Sequence, residues 1–301
     1  MASMSTQDPR RGPWRTAITA IAGVIVLPLL VVTVDARAAW LQLAQLLSLQ
    51  GKPEPASASV LSEHHLEALD ATTPQAQAEF LLERSINHYD GANREIERRL
   101  ESWRGKLEPG DRFESLFRMA INSDDLRVRV AGVEIDIITR KLEKNSETVD
   151  RLEPLARSAA QGPRANALWD LGLIGGRGVE PERIATILLA SIHDENVNIR
   201  YWAVEGLAYL ATDETIDPLL RIFHDDPSAM IRERAACSLA QSGMLNRAQR
   251  MTAVPTFIEY SADMSLDEQT RGWAFQALRD ITGQSLGKDP AAWRAWHERQ
   301  R

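Results

Sequence analysis

The stretch 193–210, HDENVNIRYWAVEGLAYL, and its echo at 224–243, HDDPSAMIRERAACSLAQSG, decide how this chain folds. Each opens on a histidine and an acidic turn and then enters a segment led by arginine. Arg200 is followed by Ala203, Val204 and Leu207, and Arg232 by Ala235, Ala236 and Leu239. Offsets of three, four and seven put these side chains on one face of a helix. Working outward, the same set recurs as Arg164, Ala167, Leu168 and Leu171, and as Arg271, Ala274, Phe275 and Leu278. The four starts are 36, 32 and 39 residues apart. A weaker copy begins at Arg127 with Val130 and Ala131, and has Glu134 where the others have leucine. A period of about 35 residues holds two helices and two turns, the sequence sign of stacked helical pairs.

The other half of each repeat is legible as a short apolar helix before each arginine helix: 152–160, 184–192, 216–223 and 254–260. Pro154, Pro218 and Pro255 are read as lying near the starts of three of these, where proline is harmless. The acids Asp124-Asp125, Asp194-Glu195 and Asp225-Asp226 stand just before the arginine helices, where a carboxylate can cap free N–H groups. Alternating β-branched runs are missing, so the body reads as all-α. Upstream, 61–70, 74–88 and 93–104 read as three further helices that cap one end of the stack.

These two stretches resemble HEAT repeats, in particular the short bacterial kind grouped with PBS-lyase HEAT-like repeats. The resemblance covers about residues 110–282. It implies an all-α, right-handed α-solenoid of about five helical pairs over 107–282, with an N-terminal helical cap over 61–106 and a C-terminal cap over 283–301. It implies a structural ladder of turn acids and helix arginines: Asp194 with Arg200, Asp225 with Arg232, and Arg164 and Arg271 at the same repeat position. The tail 281–301 is similar to the closing segment of exported bacterial HEAT proteins, so Trp293 and Trp296 are expected to cover the open end of the last repeat.

Residues 16–34, TAITAIAGVIVLPLLVVTV, carry no charge. At about 1.5 Å per residue they span about 28 Å, the thickness of a hydrocarbon core. Arg10, Arg11 and Arg15 precede them and predict an N-terminus (1–15) in the cytoplasm, a signal anchor at 16–34 and an exported body. Ala36-Arg37-Ala38 has the small-x-small form of a signal-peptidase site, which keeps a cleaved signal as the other reading. Cleavage there would leave the apolar run Trp40 to Leu49 at the new N-terminus. Residues 35–60 read as a juxtamembrane helix and a linker rich in Pro, Ser and Gly.

The net charge is −7, and with the first 38 residues set aside it is −9. An acidic body lacks the basic stripe that phosphate backbones need, which argues against nucleic acid as partner. The single cysteine, Cys237, excludes a disulfide framework and sits where a small packing residue belongs. The glycines of 172–178 follow a helix and read as its termination rather than as a phosphate loop.

No catalytic or cofactor constellation stands out, and no metal-ligand spacing is present. The nearest thing to a site is the edge where His193 and His224 precede acidic turns in adjacent repeats. An enzyme or lyase-like accessory would use that edge, although sharing a repeat type with bilin lyases does not transfer their chemistry. The favoured expectation is a membrane-tethered scaffold holding an unidentified protein partner on its second-helix face, with Tyr201, Trp202, Glu205, Glu233, Arg234 and Trp273 as candidate contacts. A single-pass subunit of a larger membrane complex is the alternative.

Overall fold

The structure, a computed structural model, describes residues 59–300. The expected signal anchor at 16–34 and the segments 1–15 and 35–58 lie outside the described residues. Among the described residues, no helix is long and apolar enough to cross a membrane.

The described residues are all-helical, apart from one isolated bridge between Val60 and Asp90. Three helices come first: α1 (Glu63–Asp70), α2 (Pro74–Ile86) and α3 (Ala92–Trp103). Five helical pairs follow: α4 (Asp111–Ile121) with α5 (Leu126–Thr139), α6 (Ser146–Ala156) with α7 (Gln161–Gly175), α8 (Pro181–Leu189) with α9 (Val197–Leu210), α10 (Ile216–Asp225) with α11 (Ala229–Ala240), and α13 (Val254–Ala262) with α14 (Glu268–Thr282). A short helix, α12 (Arg247–Thr252), intervenes before the last pair, and α15 (Pro290–Glu298) closes the chain. The extra helix explains why the last two arginine starts are 39 residues apart when the preceding interval is 32.

Packing follows the periodicity. The second helices α5, α7, α9, α11 and α14 each touch the next and form one continuous layer. Ala203, Leu207, Ala235, Leu239, Ala274 and Leu278, all from the repeated motif, are fully buried in the seams of this layer. Two apolar clusters meet at α5. Its Val128, Ala131, Ile135 and Ile138 face the N-terminal helices, while Val133 and Ile137 face the repeats. A helix buried on two sides has no polar stripe, which is why its copy of the motif reads weakly in the sequence.

Two expectations about breaks are corrected. Pro154 lies near the C-terminal end of α6, not near its start. The glycines after Leu171 do not all end a helix, for α7 runs through Gly172 and Gly175 to a cap at Gly176. Gly172 is there for proximity: a Cβ on it would sit 2.5 Å from the Cα of Gly206 in α9. A Cβ on Gly176 would sit 2.1 Å from the carbonyl oxygen of Tyr209. The two helices cross backbone against backbone, an approach any side chain would prevent. At the C-terminal end, the indole of Trp293 is fully buried, donates to Gly287 O at 3.0 Å, and packs edge-on to Trp296 with centroids 6.0 Å apart.

Candidate interaction surface

The repeat arginines organise the turns. Each points back to the loop before its own helix: Arg164 Nε donates to Ala156 O at 3.1 Å, Arg200 Nη1 to Asp194 O at 2.9 Å and Arg232 Nη1 to Asp226 O at 2.8 Å, while Arg271 donates to Leu266 O. Three of them also reach forward to an acid in the following turn. Arg164 Nη2 lies 2.6 Å from Asp194, and Arg232 Nη2 lies 2.8 Å from Asp267. Arg200 grips Asp226 with two bonds, 2.8 and 3.1 Å. The same carboxylates accept from backbone N–H groups that open the next helix, Asp194 from Asn196, Asp226 from Ser228 and Asp267 from Thr270. Each acid thus braces the turn that opens a helix, Asp267 as the N-cap itself, and ties two repeats together.

The ladder expected from the sequence is corrected in its pairing, for the Asp194 carboxylate takes Arg164 rather than Arg200 and Arg232 takes Asp267 rather than Asp225, and in its members. Asp226, not Asp225, holds the buried position; Asp225 is exposed and bonded to His224. In the first pair Arg129, not Arg127, occupies the ladder site, donating to Ser123 O at 3.0 Å. Arg127 is exposed and pairs with Asp125 in its own turn. In place of a following acid, Arg129 reaches Gln241 O at 2.6 Å, so the first pair touches the turn after the fourth.

The second-helix face combines aromatic and charged groups. Trp169 meets Trp202 and Tyr209 at centroid distances of 5.9 and 4.6 Å, and Tyr201 meets Trp202 at 5.4 Å, all edge-on. Tyr201, Trp202 and Trp273 are half-buried and Glu233 is exposed. Glu205 is not an exposed contact: it is buried and ion-paired with Arg234, whose Nη2 also donates to Ser242 at 2.6 Å. Burial pushes the Glu205 carboxyl up while the Arg234 charge opposes it. Further along, buried Asp136 accepts from Arg140 at 2.7 Å and from Trp169, and Arg140 also reaches Asp170 at 3.3 Å. Burial pushes Asp170 up to about 6, against the pull of Arg140.

The histidine edge takes a different form from the one expected. His193 is exposed and lines a groove of about 690 Å³ between the C-terminal ends of α8 and α10, with Leu189, Ile192, Arg200, Arg221 and Asp226. His224 does not line it. Its Nδ1 is 2.5 Å from Asp225 and its Nε2 3.0 Å from Asp263 in the next repeat, and its ring lies on Tyr260 with centroids 4.7 Å apart. Burial lowers its pKa, but the bonds to Asp225 and Asp263 outweigh that and the net shift is upward. Among the described residues no group of three or more His, Cys, Asp or Glu side chains could hold a metal ion. The Cys237 thiol is pushed up by burial, away from a reactive thiolate.

Comparison with known proteins agrees with this architecture. The sequence pattern of HEAT repeats matches residues 149–240 and, overlapping, 184–279. The match spans the second to fifth helical pairs. Among solved structures, a crystal structure of an engineered protein aligns over 72% of this chain and 95% of its own, at 15% identity and a TM-score of 0.31, a likeness too slight to carry an argument. No curated protein matches the chain.

Proposed function

We propose that this chain is a scaffold that holds a protein partner on its HEAT repeats, tethered to a membrane by residues 16–34 with the repeat body exported. The observation that carries the reading is the continuous layer of second helices in α5–α14, whose surface keeps Tyr201, Trp202 and Trp273 half-exposed and Glu233 exposed. Half-exposed aromatic rings on a rigid support are the side chains that lose least entropy when a partner covers them. Glu205 and Arg234 act beneath this surface, as the pair that fixes α9 against α11. The engagement of His224 by two carboxylates and the raised thiol of Cys237 favour holding over catalysis.

Affinity capture from detergent-solubilised membranes tests the reading. The full chain is expected to bring down a protein, and Tyr201→Ala with Trp273→Ala to lose it while keeping the helical circular dichroism and a cooperative melt. Retention by the doubly substituted chain would remove this face from consideration. Fractionation of the cells, with N-terminal sequencing of the recovered chain, tests the tether. The tether fails if the chain begins after Ala38 or leaves the membrane in carbonate.

A further inference from the structure

Two buried arginines, Arg129 at the ladder site of the first pair and Arg250 outside the repeat motif, lie against each other beneath a cavity. Arg129 on α5 is 4% exposed and Arg250 on α12 is 6% exposed. Both donate to one oxygen, Gln241 O, at 2.6 and 3.2 Å. Arg129 also donates to Ser123 O, and Arg250 to Leu245 O and Ser242 O at 2.9 and 2.8 Å. All these acceptors are neutral carbonyls. Neither guanidinium has a carboxylate within ion-pair distance among the described residues, whereas the other buried arginines of the ladder and cap do, as with Arg200 on Asp226 and Arg99 on Asp70. Among the described residues, Arg129 Nε and Arg250 Nη1 have no acceptor.

Two like charges brought this close out of water repel, and carbonyl dipoles offset only part of that. The cost shows at Arg250, whose pKa is brought down to about 10 by burial and by the charge of Arg129. Both residues line a cavity of about 610 Å³, where the turn before α5 meets α12 and the end of α14. Exposed Arg247 stands at the same cavity, and so do the exposed carboxylates of Asp124 and Asp280.

We propose that this cavity binds a small free oxyanion, of the phosphate, sulfate or compact polycarboxylate class, with Arg129 and Arg250 as the buried counter-charge and Arg247 at the mouth. A compact anion supplies the missing negative charge, and the volume is that of a small-molecule site. An acidic protein surface suits it less, because Asp124 and Asp280 at the mouth and the negative body repel a broad anionic face. Because the site joins the first helical pair to the segment after the fourth, an anion bound there would brace the stack.

The test uses the full chain, with inorganic phosphate and sulfate as probes against chloride at constant ionic strength. Phosphate and sulfate are expected to raise the melting temperature saturably, with half-effect in the millimolar range, and to compete for one site by calorimetry. Arg250→Met is expected to abolish the effect. Should that variant fail to fold, the exposed Arg247→Gln keeps the test, with an expected weakening of about threefold or more, and Asp280→Asn is expected to tighten binding. A melting temperature indifferent to the anion, or anion binding unchanged in Arg247→Gln and Asp280→Asn, would overturn the proposal.

Discussion

At the residue scale, single atoms decide how near two helices come. Gly172 and Gly162 both lie in α7, yet they have opposite surroundings. A Cβ on Gly172 would collide with the backbone of Gly206, whereas a Cβ on Gly162 would meet nothing within 4 Å. Gly172→Ala must therefore push α9 away and is expected to cost about 1–3 kcal/mol, as overpacking of a tight seam does. Gly162→Ala meets no neighbouring helix, and because its new Cβ crowds the ring of Pro163 it is expected to change stability by less than about 0.5 kcal/mol in either direction. Urea unfolding of the two variants side by side checks both, and equal effects would mean that α7 and α9 are not in backbone contact. Arg200 is the matching case for charge. It is buried with Asp226, so Arg200→Ala leaves a carboxylate uncompensated and is expected to cost about 3–5 kcal/mol. Among the described residues Arg271 has no following acid and holds a carbonyl, Leu266 O, so Arg271→Ala is expected to cost about 1 kcal/mol in the same measurement.

Elements are joined by their turns, and one joint is sensitive to pH. His224, at the end of α10, bridges Asp225 and Asp263, the latter just past the end of α13. Its pKa is raised in the folded chain, so its contribution to stability is fully present below the unfolded value of about 6.5 and is lost as pH rises through the folded one. Asp263 is held down to about 2, chiefly by the bond from His224, so its contribution is present above about 3.8 and is lost as pH falls toward 2. The destabilisation caused by His224→Gln is therefore expected to be largest between about pH 4 and 6.5 and to shrink toward pH 8. Melting temperatures of the two chains across that range decide it. A difference that grows with pH would show that the histidine is not held by the two acids in its charged form.

For the whole molecule, stability is the sum of repeats and the interfaces between them, so damage at an end should stay at that end. Trp293 is fully buried, and α15 packs on α13 of the last pair. Trp293→Ala is expected to cost about 3–5 kcal/mol. Hydrogen exchange should show lost protection in α13–α15 and retained protection in α6–α9. Loss spread evenly over all pairs would mean that the repeats unfold as one unit. One contact works against such independence: Arg129 reaches across to Gln241 and couples the first pair to the segment after the fourth.

The sequence by itself determined the helical pairs, their number and the seam residues, because a face repeated at three, four and seven residues admits one secondary structure and one way to bury it. It also identified the arginines and turn acids as a set. The match of HEAT repeats over 149–279 rests on the same residues. Tertiary structure decided which partners those residues take. Asp226 replaces Asp225 because only one of two adjacent turn acids can face the stack, and spacing in sequence does not say which. Arg129 replaces Arg127 because α5 is buried on both sides, which erases the amphipathic register that would have set its phase. Glu205 moved from surface to interior because Arg234, 29 positions later in sequence, folds back onto it. The cavity over Arg129 and Arg250 had no trace in the pattern, for it exists only where residues 121 positions apart are brought to one carbonyl oxygen.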